Sequence, residues 1–258
     1  MKIGILGLLF LGVTQICSAQ FSLRSGQSVT VACDNTEEKV VQTALQLFAR
    51  DYETVFSAPA TISVNHGGII VGTVDKSPLI AATGVDISDL KSKNQAFLIS
   101  VLPGGRLLVA GSDSHGTAYG IMELSRLIGV SPWEWWADVT PEKKEAFHLA
   151  ADYKMVQSPS VEYRGIFIND EGWGITPWAG RTFDKELGDI GPKTYAKVCE
   201  LILRMKGNML APAMHPSSGA FNKYPENKLV ADSYGIIMST SHCEPLLFNN
   251  VTEWDKKI

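Results

Sequence analysis

Short apolar runs alternate with amphipathic helical stretches along most of this chain, and this alternation constrains the fold more than any other feature. In the first half, five runs have the length and β-branched content of strands: residues 28–32, 60–64, 68–72, 96–101 and 106–110. Apolar residues at helical spacing predict a helix capped by Asp34 or Asn35 and a second helix over about residues 117–127. A Pro-Gly-Gly turn separates the last two runs, which therefore predict a hairpin. We expect an α/β sandwich domain with some antiparallel pairing.

The second half repeats a strand–helix–strand pattern, which is typical of a parallel sheet. The predicted strands are residues 161–168, 208–212 and 235–239, and the predicted helices are residues 193–205 and 227–234. A polar, proline-bracketed stretch at residues 141–159 separates the halves, so we place the domains at residues 20–152 and 153–258. Three strands suit either a small open α/β unit or the front of a longer fold, because a complete (β/α)8 barrel needs about 250 residues.

Residues 1–19 have the pattern of a cleaved secretory signal. Lys2 precedes an apolar stretch over residues 3–13, and small residues end the segment at Ala19. A buried N-terminal strand is the alternative interpretation. Every other apolar run falls short of the roughly eighteen residues that a membrane span requires, so no contact with a membrane is predicted. We therefore expect a secreted or periplasmic protein.

The charge balance and the cysteines argue against several classes of protein. The 258-residue chain has 23 Lys and Arg against 27 Asp and Glu, a net charge of −4, which disfavours nucleic-acid binding. The stretch 111–117 imitates a phosphate loop but lacks its lysine, which disfavours nucleotide binding. After the signal, Cys33, Cys199 and Cys243 lie far apart and have no zinc-ligand spacing. We expect free buried thiols, no metal site and no cofactor.

Polar side chains follow two of the predicted parallel strands, at the carboxyl ends where ligands bind in such folds. Asp170 and Glu171 follow the first strand, and the alternation of side chains directs only one of them into a shared site. His242 and Glu244 follow the third strand, where a histidine beside an acid can orient a hydroxyl or transfer a proton. Spacing leaves alternatives open: solvated loop acids or helix caps for the pair, and a structural role for His242.

Further candidates come from the second strand and from tryptophans. Asn208 begins the second strand, and His215 lies in the loop beyond it. Trp173 and Trp178 follow the first strand, and aromatic faces of this kind pack against the apolar surfaces of sugars. The tryptophans within residues 133–136 precede the domain boundary, so packing in the core or between domains is the better interpretation for them.

Five ordered blocks of the sequence belong together: residues 110–125 (AGSDSHGTAYGIMELS), 129–138 (GVSPWEWWAD), 163–171 (YRGIFINDE), 203–208 (LRMKGN) and 240–245 (TSHCEP). In this order they resemble glycoside hydrolase family 115, the xylan α-1,2-glucuronidases. The resemblance implies an N-terminal α/β domain followed by a (β/α)8 TIM barrel. It also implies removal of glucuronic acid or its 4-O-methyl ether from xylan by an inverting mechanism. Glucuronoxylan and its oligosaccharides are then the expected partners, and a homodimer is left open.

The resemblance also implies roles for single residues. Asp170 matches the family's acid after the first barrel strand and is the catalytic candidate, placed to position the attacking water or to bind sugar hydroxyls. His242 matches the histidine after the third strand, where it would hold the uronic acid. The other implied substrate-binding residues are Asn169, Glu171, Asn208, Glu244, Trp173 and Trp178.

The sequence departs from the family at two positions and in length. Ala211 stands where the family more often has a tryptophan, and Cys243 where it more often has a second histidine, which affects the pocket rim. Inversion needs two carboxyl groups about 6.5–9.5 Å apart, and family members supply at least one from later barrel strands. We therefore expect an N-terminal fragment holding the first three βα units of the barrel. The alternative is a non-catalytic product that binds sugar weakly or not at all.

Overall fold

The computed structural model describes residues 20–212, 215 and 217–240. This part of the chain forms eleven strands: β1 (Phe21–Arg24), β2 (Val29–Cys33), β3 (Ala60–Ser63), β4 (Ile69–Thr73), β5 (Phe97–Val101), β6 (Leu107–Gly111), β7 (Ala146–Leu149), β8 (Lys154–Gln157), β9 (Gly165–Phe167), β10 (Met209–Ala211) and β11 (Ile237–Met238). It also forms six α-helices: α1 (Lys39–Phe56), α2 (Pro78–Ala81), α3 (Ser114–Leu127), α4 (Ile175–Thr182), α5 (Pro192–Arg204) and α6 (Glu226–Ser233). None of these helices combines the length and the apolarity that crossing a membrane demands. The predicted α/β class is confirmed.

The larger sheet has six strands in the order β3-β2-β4-β6-β5-β8. β3, β2, β4 and β6 run parallel, whereas β5 pairs antiparallel with both of its neighbours. The predicted hairpin is confirmed, with Phe97 opposite Gly111 and Val101 opposite Leu107. Helices α1 and α3 pack on one face and α2 on the other, so the sheet is the middle layer of a sandwich.

Burial on both faces explains the continuous apolar runs of the central strands. Every residue of β4 and of β6 is buried, as is typical of parallel strands covered on both sides. Helix α1 faces this sheet with an apolar stripe that includes Leu45, Phe48 and Tyr52. The stripe explains why the helical period was readable from the sequence.

The predicted cap of α1 is wrong. The helix begins at Lys39, and Asp34 instead accepts a hydrogen bond from the Thr36 N–H (2.9 Å) in the preceding turn. The residues between Asp34 and the helix bring Glu37 to the carboxyl end of β4. There the buried carboxylate of Glu37 accepts hydrogen bonds from the N–H and the hydroxyl of Thr73, both at 2.7 Å. Tertiary contact with Thr73 therefore decides where the helix starts.

The passage from the larger sheet to the smaller one comes later than the sequence predicted. We placed the second domain from residue 153, but β8 hydrogen-bonds antiparallel to β5 and so belongs to the larger sheet. The chain crosses between the sheets over residues 158–164. Strands β1 and β7, which the sequence did not predict, form a separate two-stranded sheet with Phe21 opposite Leu149.

The smaller sheet is parallel, with the order β11-β10-β9, as the strand–helix pattern predicted. Helices α5 and α6 pack beside it around Tyr195, Ile202 and Phe221. Helix α5 begins with Pro192, a residue favoured at a first helical position. The fully buried Asp184 accepts hydrogen bonds from N–H groups of that helix start, including Thr194 at 2.9 Å. Helix α4, between β9 and α5, was not predicted.

Buried charges join the helices of the two sheets. Arg204 of α5 donates to both carboxylate oxygens of Asp51 in α1, at 2.8 and 2.9 Å, and to Glu200 at 2.9 Å. All three side chains are buried, and Arg50 adds a further hydrogen bond to Glu200. Loss of one partner would leave an uncompensated buried charge, so this network holds the sheets in a single arrangement.

Candidate active site

The carboxyl ends of β9, β10 and β11 lie at one edge of the smaller sheet, because the three strands are adjacent and parallel. Residues 169–171 leave this edge after β9, His215 lies in the loop after β10, and residues 239–240 follow β11. Two predicted site residues, His242 and Glu244, lie outside the described residues. The edge is where parallel α/β folds place their ligands.

Asp170 holds the loop that follows β10. The side chain is 3% exposed, and its Oδ2 accepts hydrogen bonds from the His215 N–H (2.5 Å) and from the Ser218 hydroxyl. The Thr176 hydroxyl donates to the Asp170 carbonyl at 2.5 Å, which also ties α4 to this strand end. Asp170 thus positions the loop carrying His215, a role that its sequence position did not indicate.

His215 presents an exposed imidazole beside this anchored loop. Its Nδ1 lies 2.7 Å from the Ser217 hydroxyl and accepts a hydrogen bond from the Ser217 N–H at 3.2 Å. Because a backbone N–H can only donate, the neutral ring carries its proton on Nε2. The loop therefore offers a hydrogen-bond donor at the carboxyl edge.

Asn169 and Glu171, on either side of Asp170 in the sequence, differ in exposure and in their hydrogen bonds. The Asn169 side chain is exposed, while its carbonyl accepts from the Ile175 N–H (3.2 Å) at the start of α4. Glu171 is half-buried, and its Oε2 has no hydrogen-bond partner among the described residues. A buried carboxylate oxygen normally has a partner, so this oxygen is unusual among the described residues. Across the described residues, no group of three or more His, Cys, Asp and Glu is arranged to hold a metal ion.

Asp189 fixes the same loop from its other side. Its carboxylate accepts from the Gly219 N–H at 2.9 Å, the Tyr224 hydroxyl at 3.1 Å and the Lys223 ammonium at 3.3 Å. Burial acts to raise the pKa of Asp189, but the N–H groups of Gly219 and Ile190 and the Lys223 side chain outweigh it and lower the pKa. Two carboxylates, Asp170 and Asp189, therefore order the loop after β10.

The two tryptophans predicted at the site occupy different surroundings. Trp173 is 81% exposed in the loop after β9, where a ligand can reach it. Trp178, in α4, packs against Trp135 with ring centroids 5.8 Å apart and against Trp136 at 5.7 Å. The Trp136 indole also donates to the Lys197 carbonyl at 3.1 Å. Trp135 and Trp136 thus pack against the helices of the smaller sheet, as the sequence favoured, whereas Trp133, for which packing was also expected, is 45% exposed.

Comparison with known proteins identifies the family. Residues 156–258 match the model of Glycosyl hydrolase family 115. The chain is also 55% identical, over 91% of its length and with a TM-score of 0.88, to a solved family GH115 4-O-methyl-α-glucuronidase, BtGH115A, with specificity for decorated arabinogalactans. The chain belongs to glycosyl hydrolase family 115. It covers 31% of that solved chain.

More distant structures share the fold of this family 115 chain. A Flavobacterium johnsoniae chitobiase has a TM-score of 0.53 at 13% identity, with coverage of 88% of this chain and 33% of that chain. A Streptomyces plicatus N-acetyl-β-hexosaminidase has a TM-score of 0.55 at 12% identity, covering 88% of this chain and 43% of that chain. Identities this low show likeness of fold alone. No curated protein matches the sequence.

The structure does not bring Asn208 to the carboxyl edge of this family 115 chain. Asn208 lies at the amino end of β10 and is fully buried. Its Oδ1 accepts from the Arg164 N–H at 2.8 Å, and its Nδ2 donates to the Glu162 carbonyl at 2.7 Å. These contacts join the amino ends of β9 and β10, so Asn208 shapes the sheet rather than the site.

Several residues that shape the site escaped the sequence reasoning. Asp189 and Ser218 have partners 30 and 48 positions away, at Gly219 and Asp170, so no local pattern marks them. For Asp184 the sequence does contain a weak signal. The Gly-Pro pair at residues 191–192 marks a helix start whose first N–H groups need an acceptor, and an acid shortly upstream can supply it.

Proposed function

We propose that this protein is an α-glucuronidase that hydrolyses the bond between glucuronic acid, or its 4-O-methyl ether, and a plant polysaccharide. The observation that carries the proposal is the 55% identity, across 91% of this chain, to a 4-O-methyl-α-glucuronidase. Since the chain spans 31% of that protein, the proposal concerns the activity of the whole gene product.

The contacts at the carboxyl edge suit this reaction. Asp170 orders the loop after β10, and we assign it the predicted role of placing the attacking water or a sugar hydroxyl as well. His215 supplies a donor through Nε2–H, and Glu171 follows Asp170 at the same edge. Trp173 would border the sugar with its exposed face. His242, which would hold the uronic acid, rests on the resemblance alone.

We further propose that β9, β10 and β11 are the first three strands of a (β/α)8 barrel. Their consecutive parallel order supports this. Exposed apolar side chains on the outer strands support it too, since Ile166, Phe167 and Ile237 are about half exposed, at 45%, 51% and 45%. Parallel strands are normally buried on both faces, so these side chains suit a surface that other strands cover. An inverting mechanism would then use two carboxyl groups about 6.5–9.5 Å apart.

Two polysaccharides are candidate substrates. The family resemblance favours glucuronoxylan. The solved relative, with its specificity for decorated arabinogalactans, favours an arabinogalactan that carries 4-O-methyl-glucuronic acid. The signal-like residues 1–19 support export, where either polysaccharide is accessible.

The test uses the product of the complete coding sequence, including any codons beyond Ile258. It is incubated with glucuronoxylan and, separately, with decorated arabinogalactan, and released uronic acid is quantified by anion-exchange chromatography. Release from one substrate supports the activity and selects the polysaccharide, whereas no release from either overturns the proposal. Proton NMR of the first product formed reports the anomer, and a retained configuration would overturn the inverting mechanism.

A matched pair of variants tests the site. Asp170→Asn removes the negative charge and one of the two carboxylate oxygens, so we expect kcat/KM to fall about a hundredfold or more. Asp232→Asn, at an exposed acid paired with Lys39, is the control and should keep full activity. Near-normal turnover by Asp170→Asn would remove Asp170 from the mechanism.

A further inference from the structure

A cavity of about 180 Å³ lies at the amino ends of β9 and β10, between the two sheets. Its lining residues are Gln95, Phe97, Tyr119, Gln157, Ser158, Pro159, Arg164, Met205 and Lys206. Because the cavity is at the strand ends opposite Asp170, it is distinct from the candidate active site.

Arg164 brings to this cavity a positive charge with which no carboxylate of the described residues forms an ion pair. The guanidinium donates to five neutral oxygens: the carbonyls of Val161 (2.7 Å), Glu162 (2.9 Å) and Lys206 (2.8 Å), Gln95 Oε1 (2.5 Å) and the Tyr119 hydroxyl (3.1 Å). These contacts fix the guanidinium in place and leave its net charge uncompensated. A fixed, partly desolvated positive charge attracts an anion.

Lys206 adds a second positive charge at the cavity wall. Its ammonium donates to Glu123 Oε2 at 2.7 Å, but Glu123 also accepts three hydrogen bonds from Arg126. One carboxylate therefore faces two cations. The other nearby acid, Asp113, accepts from the N–H groups of Gly116 and Gln95. Neither acid forms an ion pair with Arg164.

The backbone at the cavity wall is also unusual. Lys206 follows helix α5 with a φ of 60°, and Gln95 has a φ of 56°. Glycine is the favoured residue in this left-handed region, particularly after a helix end. At this position the chain has instead Lys206, which lines the cavity. Strained positions of this kind concentrate at binding sites.

We propose that this cavity binds a small carboxylate of about the size of one sugar ring. Lys206 and the Ser158 hydroxyl donate to the carboxylate, and Arg164 stabilises it through its charge. The remaining part of the ligand lies against Met205 and Pro159. The proposal is independent of the glucuronidase activity, because its residues lie at the opposite strand ends from those of the active site.

Isothermal titration calorimetry with glucuronate as the probe, and glucose as its neutral counterpart, tests the site on the chain. We expect glucuronate to bind and glucose to bind at least tenfold more weakly, since only the former has a carboxylate. Lys206→Gln should weaken glucuronate binding about tenfold. Lys206→Arg keeps the positive charge, so it should bind glucuronate about as tightly as the parent chain does. Lys193→Gln is the matched control, because Lys193 also pairs with an acid but at the other end of α5.

Two further variants separate this site from the active site. Ser158→Phe fills the cavity and leaves Arg164 unmutated. It should abolish glucuronate binding, while the thermal unfolding midpoint stays close to that of the parent chain. Asp170→Asn should leave the binding unchanged. Equal binding of glucose and glucuronate would overturn the proposal. So would binding that survives both Lys206→Gln and Ser158→Phe, or binding that Asp170→Asn alone removes.

Discussion

The two sheets of this protein are both built on parallel strands, but they are stabilised differently. In the six-stranded sheet, β4 and β6 are buried at every position beneath helices on both faces. In the three-stranded sheet, all three residues of β9 are exposed. A parallel sheet normally needs cover on both faces. The smaller sheet therefore depends more on its junction with the larger one and on specific polar contacts.

Carboxylates supply many of those contacts in the smaller sheet. Asp170 and Asp189 order the loop after β10, Asp184 holds the start of α5, and Glu200 joins the junction network. Each accepts from backbone N–H groups or from arginine, so each fixes one local geometry. Buried acids also occur beside the larger sheet, at Glu37 and Asp51, but that sheet has the larger apolar core.

The largest expected effect is at the junction. Arg204→Met leaves Asp51 and Glu200 as buried acids with one cation fewer, so the free energy of unfolding should fall by about 3–5 kcal/mol. Urea denaturation followed by circular dichroism measures it. Lys193→Met, which removes an exposed ion pair, is the control and should change little. A loss below about 1 kcal/mol for Arg204→Met would show that the junction does not stabilise the protein.

The next effect compares the two sheets directly. Leu108→Ala, at a fully buried position of β6, should lower the unfolding free energy by about 2–5 kcal/mol. Ile166→Ala in β9 removes a side chain that is 45% exposed, and its effect should stay below about 1 kcal/mol. The same urea titrations measure both variants. Equal losses would contradict the difference in burial between the sheets.

At acidic pH, the protonation of Glu200 should lower the stability of the junction. Burial acts to raise the pKa of Glu200, but the hydrogen bond from Arg50 and the charges of Arg204, Arg50 and Lys197 lower it from 4.5 to about 2. A carboxyl with a lowered folded pKa stabilises the fold fully above the unfolded value. Stability should therefore decline as the pH falls from about 4.5 towards about 2.

Thermal unfolding midpoints across that pH range measure the decline. Glu200→Gln should flatten the profile because it removes the titrating carboxyl, and Glu53→Gln, at an exposed position of α1, should leave the slope intact. A profile for Glu200→Gln as steep as that of the parent chain would assign the acid sensitivity to other carboxyl groups.

The smallest expected effect is on the rate of thiol alkylation. Cys33 lies in the apolar core of the larger sheet, and Cys199 lies in the apolar core of the smaller sheet. Burial raises the pKa of Cys33 and of Cys199 to about 12, so both thiols should resist alkylation at pH 8 in the folded protein. In a background with serine at Cys17 and Cys243, iodoacetamide labelling reports the opening of each core. Cys199 should react several-fold faster than Cys33, since its core is smaller. Equal rates in native buffer would indicate that the two cores open together.

Much of the fold was predictable because its signals are local. The periodicity of α1, α3 and α5 and the Pro-Gly-Gly hairpin were readable, since each depends on residues close in sequence. The position of Asp170 and Glu171 at the carboxyl end of β9 was also predictable from the strand–helix pattern. The short strands β1, β7 and β8 were not, because they form only through pairing with distant strands.

The roles of single side chains were the least predictable part. Asn208 matched a recurrent family position, yet it lies at the amino end of β10, where its amide joins two strands. Trp178 was expected beside the pocket and instead packs with Trp135 and Trp136. In both cases the residue type was compatible with two uses, and only the neighbours brought by folding distinguish them.

The sequence by itself determined the α/β class, the order of the main strands and helices, and the family, because apolar periodicity and ordered motifs are written in neighbouring residues. The tertiary structure alone decided which acids became buried anchors, how Asp170 and Asp189 hold the loop after β10, and which neutral oxygens hold Arg164. Those outcomes depend on contacts between residues tens of positions apart, and burial gives such contacts their strength by removing the competing water.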